Sequence, residues 1–261
     1  NEQSIQQPEL LIYRIMALLF TGKVMNAMEL IGELESDQAK SLQPFQRGRL
    51  QAMNAWLAMA SGRGDAFEYS KLALANLAEG DLTFRAMAMI VYATECQRHD
   101  NMQASIDAFR EAYRISMEAG QDFAAMTSLA NLAFKLYEQG KLREAEALCL
   151  DVVRRYTDAR GRPLPVIGII YVALATIIYE KGDLTTAKDY ARKGTEICQR
   201  LFSRAMLGGD GELILSQVAF EHGQVQEALE IIHSTWQNAE RAGVAYVPVK
   251  MALQEISFYI W

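Results

Sequence analysis

What is scarce in this 261-residue sequence narrows the possibilities first. Five prolines and few β-branched runs give little from which to build sheets, whereas Ala, Leu, Met, Glu and Gln, all strong helix formers, dominate. Three cysteines, Cys96, Cys149 and Cys198, are odd in number, widely spaced and without a CxxC pair. They exclude a disulfide framework and read as free buried thiols of a reducing, cytoplasmic compartment. Three histidines, His99, His222 and His233, with no HExxH, leave no zinc site, and the absence of GxSxG leaves no hydrolase elbow. The 26 basic residues are outnumbered by 32 acidic ones, for a net charge of −6, so direct nucleic-acid binding by this segment is not expected. No apolar run reaches the ~18 residues of a membrane helix. The richest, Val166 to Tyr179, contains Thr176 and reads as a core helix, and the polar opening Asn1 to Gln7 is not expected to be a secretory leader.

What is present is a repeat. A hydrophobic or aromatic residue is followed three positions later by Gly, then by an apolar residue two further on and a small residue five further on. Leu19 to Gly22 leads to Val24 and Ala27; Tyr137 to Gly140 leads to Leu142 and Ala145. Tyr179 to Gly182 leads to Leu184 and Ala187; Phe220 to Gly223 leads to Val225 and Ala228. Two weaker copies are Met59 to Gly62, followed by Gly64 and Phe67, and Gln97 to Asp100, followed by Met102 and Ser105. The turn positions 22, 62, 100, 140, 182 and 223 are therefore about 40 residues apart. Gly accepts the positive φ of a helix C-terminal turn, the apolar residue starts a second helix, and the small residue lets that helix lie close to the first. Small residues also stand seven positions before the turn, at Ala55, Ala93, Ala133, Ala175 and Ser216, with Ile15 the exception.

This signature resembles the turn between helices A and B of a tetratricopeptide repeat. The expected fold is an all-α, right-handed superhelical solenoid of about six antiparallel helix pairs, period about 40, plus a partial seventh. Helices are expected at about 9–21 and 24–35, 45–61 and 65–78, 84–98 and 101–119, 122–139 and 142–158, 165–181 and 184–202, 209–222 and 225–242, and from about 247 onward. Gly161-Arg162-Pro163-Leu164-Pro165 and the glycine cluster from Gly208 to Gly211 read as loops between repeats, and Arg154, Arg155 and Arg160 as a solvated helix end. The whole of 1–261 is expected to form one repeat domain. The apolar finish from Ile256 to Trp261 suggests a fragment of a longer protein.

A narrower resemblance rests on the 161–165 loop with the apolar helix after it, on Tyr179-Glu180-Lys181-Gly182-Asp183-Leu184, and on the stretch from Glu111 through Tyr113 and Met117 to Gly120. These are similar to the repeats of the MalT-like branch of LuxR-type, ATP-dependent transcriptional regulators. The resemblance implies a non-catalytic sensor and interaction domain. Its partner would be a small-molecule inducer, or a protein or peptide, held in the concave groove, with self-association as part of the response and no membrane contact. It also implies an ATPase module upstream and a helix-turn-helix module downstream. The segment contains no GxxxxGK[ST], since Gly22-Lys23 is followed by Val24, so no cofactor is expected here and ATP belongs to the upstream part.

In that architecture the A helices line the groove, and positions −2, −3, −6 and −10 from each turn point inward. Position −6 supplies Trp56, Thr94, Phe134, Thr176 and Gln217. Position −3 supplies Met59, Gln97, Tyr137, Tyr179 and Phe220, and position −2 supplies Arg98, Glu138, Glu180 and Glu221. An aromatic row beside an acidic row suits a sugar-like ligand or an extended peptide, and a basic or hydroxyl-rich partner. The same rings at helical spacing also fit packing between repeats. A generic tetratricopeptide adaptor with no role in transcription is the competing reading, and a repeat-containing enzyme subunit a remote third.

Overall fold

The computed structural model describes residues 8–20, 23–37, 42–61, 64–201, 209–241 and 246–260. Among them are thirteen α-helices, in chain order. They are α1 (Pro8–Phe20), α2 (Val24–Asp37), α3 (Pro44–Ser61), α4 (Ala66–Asn76), α5 (Leu82–Arg98), α6 (Met102–Glu118) and α7 (Asp122–Glu138). Then come α8 (Leu142–Arg155), α9 (Gly168–Glu180), α10 (Leu184–Leu201), α11 (Asp210–Glu221), α12 (Val225–Arg241) and α13 (Tyr246–Ile260). Odd-numbered helices are the A helices of the pairs and even-numbered ones the B helices. The fold is a tetratricopeptide-like helical solenoid built of two compact units, Asn1–Ser128 and Leu129–Trp261, the division falling within α7.

Within the first unit α1 packs on α2 and α3, and α3 on α4 and α5, each A helix here meeting its own B helix and the next A helix. The second unit repeats the scheme with α9 on α10 and α11, and α11 on α12 and α13. This arrangement explains the two kinds of helix. A helices are enclosed on several sides, so α9 buries Ile170 through Ala175 without a break and then Ile177 and Ile178. B helices keep one face in water, so α8 buries only Ala145, Cys149 and Val152, one side of a 3.6-residue period.

The repeat signature maps onto the close contacts. Ala27, Ser105, Ala145, Ala187 and Ala228, five after their turns, are fully buried, as are Ala55, Ala93, Ala133, Ala175 and Ser216, seven before. Ser105 Oγ donates to the Ala93 carbonyl at 2.8 Å, so two small positions of one pair touch directly. Ile15 is fully buried too. In the second pair the slot belongs to Ala66, fully buried, while Phe67 is half-buried and stacks on Tyr92 at 5.4 Å. The expectation that Phe67 stands there is therefore corrected by one residue.

Four turns show the expected backbone. Gly140, Gly182 and Gly223 have φ of 76°, 82° and 74°, and Asp100 adopts 56° where the others use glycine. Each is closed by a bond from the next residue to the carbonyl five back, as in Lys141 N–H to Leu136 at 2.8 Å and Asn101 N–H to Cys96 at 2.9 Å. Gly22, Gly62 and Gly208 lie outside the described residues, as do Asn1 to Gln7 and Trp261.

The 156–167 connection differs from expectation. α8 stops at Arg155 rather than near 158, because Asp158 gathers the chain around itself. Its carboxylate accepts the Arg160 and Arg162 backbone N–H groups and the Arg162 Nε, each at 2.9 Å. These bonds, the Arg162 backbone N–H first, hold its pKa below the usual carboxylate range. Pro165 then opens a short 3₁₀ turn (Pro165–Ile167) before α9. The three cysteines are free and buried, and burial pushes the Cys149 and Cys198 thiols up to about 12. Among the described residues no helix is long and apolar enough to cross a membrane.

Candidate functional site

The A-helix face of the first unit opens into a cavity of about 370 Å³. Its walls come from four A helices: Met16 on α1, Trp56 on α3, Met87 and Ile90 on α5, and Phe123 and Ala124 on α7. Thr83, Gln121, Asp122 and Thr127 complete the lining. Counted back from their turn positions, Met16 and Trp56 both stand at −6, Ile90 at −10, Met87 and Thr127 at −13, and Thr83 and Phe123 at −17. Steps of four, three and four residues mark one stripe along a helix, so neighbouring A helices contribute successive turns of the same face. The lining mixes large and small side chains, Ala124 sharing it with Trp56 and Phe123.

Two polar side chains of this wall bond each other. Gln121 Nε2 donates to Thr83 Oγ1 at 2.8 Å, tying the entry of α7 to the first turn of α5. Beside this cavity Arg49 forms a hub. Its Nε donates to Asp81 at 2.5 Å and its NH1 to Glu9 at 2.6 Å, while the guanidinium lies 5.2 to 5.8 Å from the Tyr13, Phe45 and Phe84 ring centroids. Its charge is matched by two carboxylates.

The twelve residues singled out from the sequence divide between the units. Trp56 lines the cavity. Thr94 folds back on its own helix, donating to the Ile90 carbonyl at 2.9 Å, and Arg98 pairs with the buried Glu95 at 3.0 Å. The other nine lie in the second unit and mostly join one repeat to the next. Tyr137 OH donates to Glu180 at 3.0 Å, and Tyr179 OH to Glu221 at 3.5 Å. Gln217 Nε2 donates to Gln254 at 2.8 Å, and Phe220 stacks on Phe258 with centroids 4.2 Å apart. Glu138 accepts two bonds from the buried Lys135, at 2.6 and 2.7 Å, Thr176 donates to the Val172 carbonyl at 3.3 Å, and Phe134 is half-buried. Burial first, and then the neighbouring glutamates, raise the Tyr137 and Tyr179 pKa values above the ordinary phenol.

Sequence reasoning thus passed over most of the cavity. Positions −13 and −17 were not considered, although they continue the stripe that −6 and −10 begin. Met16 at −6 of the first pair was passed over as well. No group of three or more His, Cys, Asp or Glu arranged to hold a metal ion occurs among the described residues.

Helix pairs stacked in chain order, left-handed turns at the pair junctions and small residues at the crossing points define a tetratricopeptide-like repeat protein. The sequence matches the family described as the MalT-like TPR region over residues 48–257, and the chain belongs to that family. No curated protein matches the sequence. Among solved structures, the quorum sensor NprR in complex with its cognate peptide NprX superposes with a TM-score of 0.75 at 15% identity, covering 99% of this chain and 75% of that one. A Rap protein complexed with competence and sporulation factor gives 0.75 at 14% identity, covering 96% and 70%. BtubC from P. vanneervenii gives 0.56 at 18% identity, covering 89% and 92%. At these identities the likeness concerns the fold.

Proposed function

We propose that this chain is the ligand-sensing and protein-interaction domain of a LuxR/MalT-type transcriptional regulator, acting as a non-catalytic scaffold in the cytoplasm. The observation that carries the reading is the cavity on the A-helix face of the first unit, in a member of the MalT-like repeat family. NprR and Rap, which share the fold, are each known with a peptide or signalling factor bound, which favours an effector bound by this chain too. Trp56 is the anchor of the first unit. In the second unit Tyr179, Glu138, Glu180 and Glu221 form the partner-facing edge, suited to a protein or basic peptide. Self-association completes the response, ATP is handled upstream, and no nucleic acid is held by this segment.

Sensing by this route is a shift of population: the effector stabilises whichever arrangement it binds better, and by no more than that difference. The sensing half is tested by a thermal-shift panel of sugars, nucleotides, peptides and apolar molecules, in which at least one class should raise the melting temperature of the wild type and not of Trp56→Ala. A panel without any shift overturns it. The regulator half is tested in the gene: a coding sequence for GxxxxGK[ST] upstream and a helix-turn-helix downstream supports it, and their absence favours a plain adaptor.

A further inference from the structure

We infer that the cavity of the first unit takes a compact, uncharged, apolar ligand group, aromatic or branched aliphatic, rather than a sugar or an acidic group. The inference rests on the sensing reading above and specifies its ligand chemistry.

Three observations carry it. The wall is made of Met16, Trp56, Met87, Ile90, Phe123 and Ala124, whose side chains offer dispersion contacts and an aromatic face. A sugar needs several donors and acceptors aimed inward, because every hydroxyl left unbonded on entry costs free energy. Here the amide of Gln121 and the hydroxyl of Thr83 already bond each other. Among the described residues of the lining the one charged side chain is the carboxylate of Asp122, so no described cation of the wall pairs with an acidic group, and the Arg49 guanidinium is held by Asp81 and Glu9. The volume of about 370 Å³ lies at the small end for ligand sites, enough for one ring system or one to two bulky side chains. Met16 and Met87 give the site room to adjust to the shape of what enters.

The test uses the full chain with Trp236→Phe and Trp261→Phe, which leaves Trp56 as the sole tryptophan. The probe is N-phenyl-1-naphthylamine, a neutral apolar dye. Competitors are N-acetyl-leucinamide, the same leucine side chain within a neutral tetrapeptide, maltose, and an acetyl-aspartate peptide. The expected result is one saturable site per chain that quenches Trp56, displaced by the leucine compounds and not by maltose or the acidic peptide. Ala124→Trp fills the space and should weaken the dye at least tenfold with the melting temperature kept. Phe123→Ala, at the more exposed edge, is the second variant in case Ala124→Trp fails to fold, and should weaken binding severalfold. Stronger competition by the tetrapeptide than by the free amide identifies a peptide as the source of the group; equal competition identifies a small molecule. Dye binding unchanged by both variants, or displacement by maltose, overturns the inference. If maltose or the acidic peptide quenches Trp56 while the dye does not, the ligand chemistry is wrong and the sensing reading stands; if nothing reaches Trp56, both fall.

Discussion

The two units use the same repeat to different ends. In the second, the positions two, three and six before each turn join neighbouring A helices through Tyr137–Glu180, Tyr179–Glu221, Gln217–Gln254 and the Phe220–Phe258 stack. In the first, those positions include Met59, Gln97 and Arg98, of which Gln97 is exposed and Arg98 pairs with Glu95 on its own helix, and the face opens into an apolar cavity. The difference teaches that a register position in a repeat array fixes where a side chain points and leaves its role to its neighbours. A tyrosine facing a glutamate one repeat on becomes a strut; a tryptophan on another A helix lines a space.

The comparison can be broken most forcefully at Arg49. Arg49→Ala removes the one cation between Glu9 and Asp81, and about 2–4 kcal/mol of stability should go with it, since two part-buried carboxylates lose their partner. Urea unfolding followed by circular dichroism measures this, and a loss below that of the tyrosine rungs would show that the hub is only a surface ion pair. The second unit has its own tight point where α9 crosses α10. A side chain at Gly194 would meet the Gly168 carbonyl and the Val172 N at 2.9 Å, so Gly194→Val should cost about 1–3 kcal/mol by forcing the helices apart. Unchanged melting would mean the crossing is looser than described.

The rungs come next. Tyr137→Phe with Tyr179→Phe should lower stability by about 0.5–1.5 kcal/mol in total, because both bonds are near solvent. Gln97→Ala, exposed in the first unit, should stay within about 0.5 kcal/mol. Equal losses in the two would erase the contrast between the units. The smallest effect is in pH. Both phenols titrate above the ordinary value of about 10 in the folded chain, so the unfolded chain loses its protons first as the pH climbs. Their contribution is fully present below about pH 10 and is lost as the pH rises through the folded values. The double Phe variant should therefore flatten the fall in stability across that window; an identical fall would assign it to other groups.

Much of the fold was legible because it follows from local chemistry. The left-handed turns at Gly140, Gly182 and Gly223, the buried alanines on either side and the unbroken apolar run of α9 each announce themselves within a few residues. Even Asp100 could be placed as a glycine stand-in from the period alone. What stayed hidden needs neighbours. Asp158 ends α8 early by bonds to residues two and four ahead, and nothing in its identity distinguishes it from other loop aspartates. The cavity depends on four helices, each supplying a different turn of its stripe, so no single position list taken from one repeat recovers it. Ala124 is the clearest case: a small residue marks a helix crossing elsewhere in this chain and a space here.

Hydrogen–deuterium exchange of the full chain with and without N-phenyl-1-naphthylamine tests the central contrast most directly. Protection should appear in peptides spanning 83–90 and 121–127 and around Trp56, with the stretch from 129 to 260 unchanged. Protection confined to the second unit, or spread evenly over both, would contradict the assignment of the ligand site to the first.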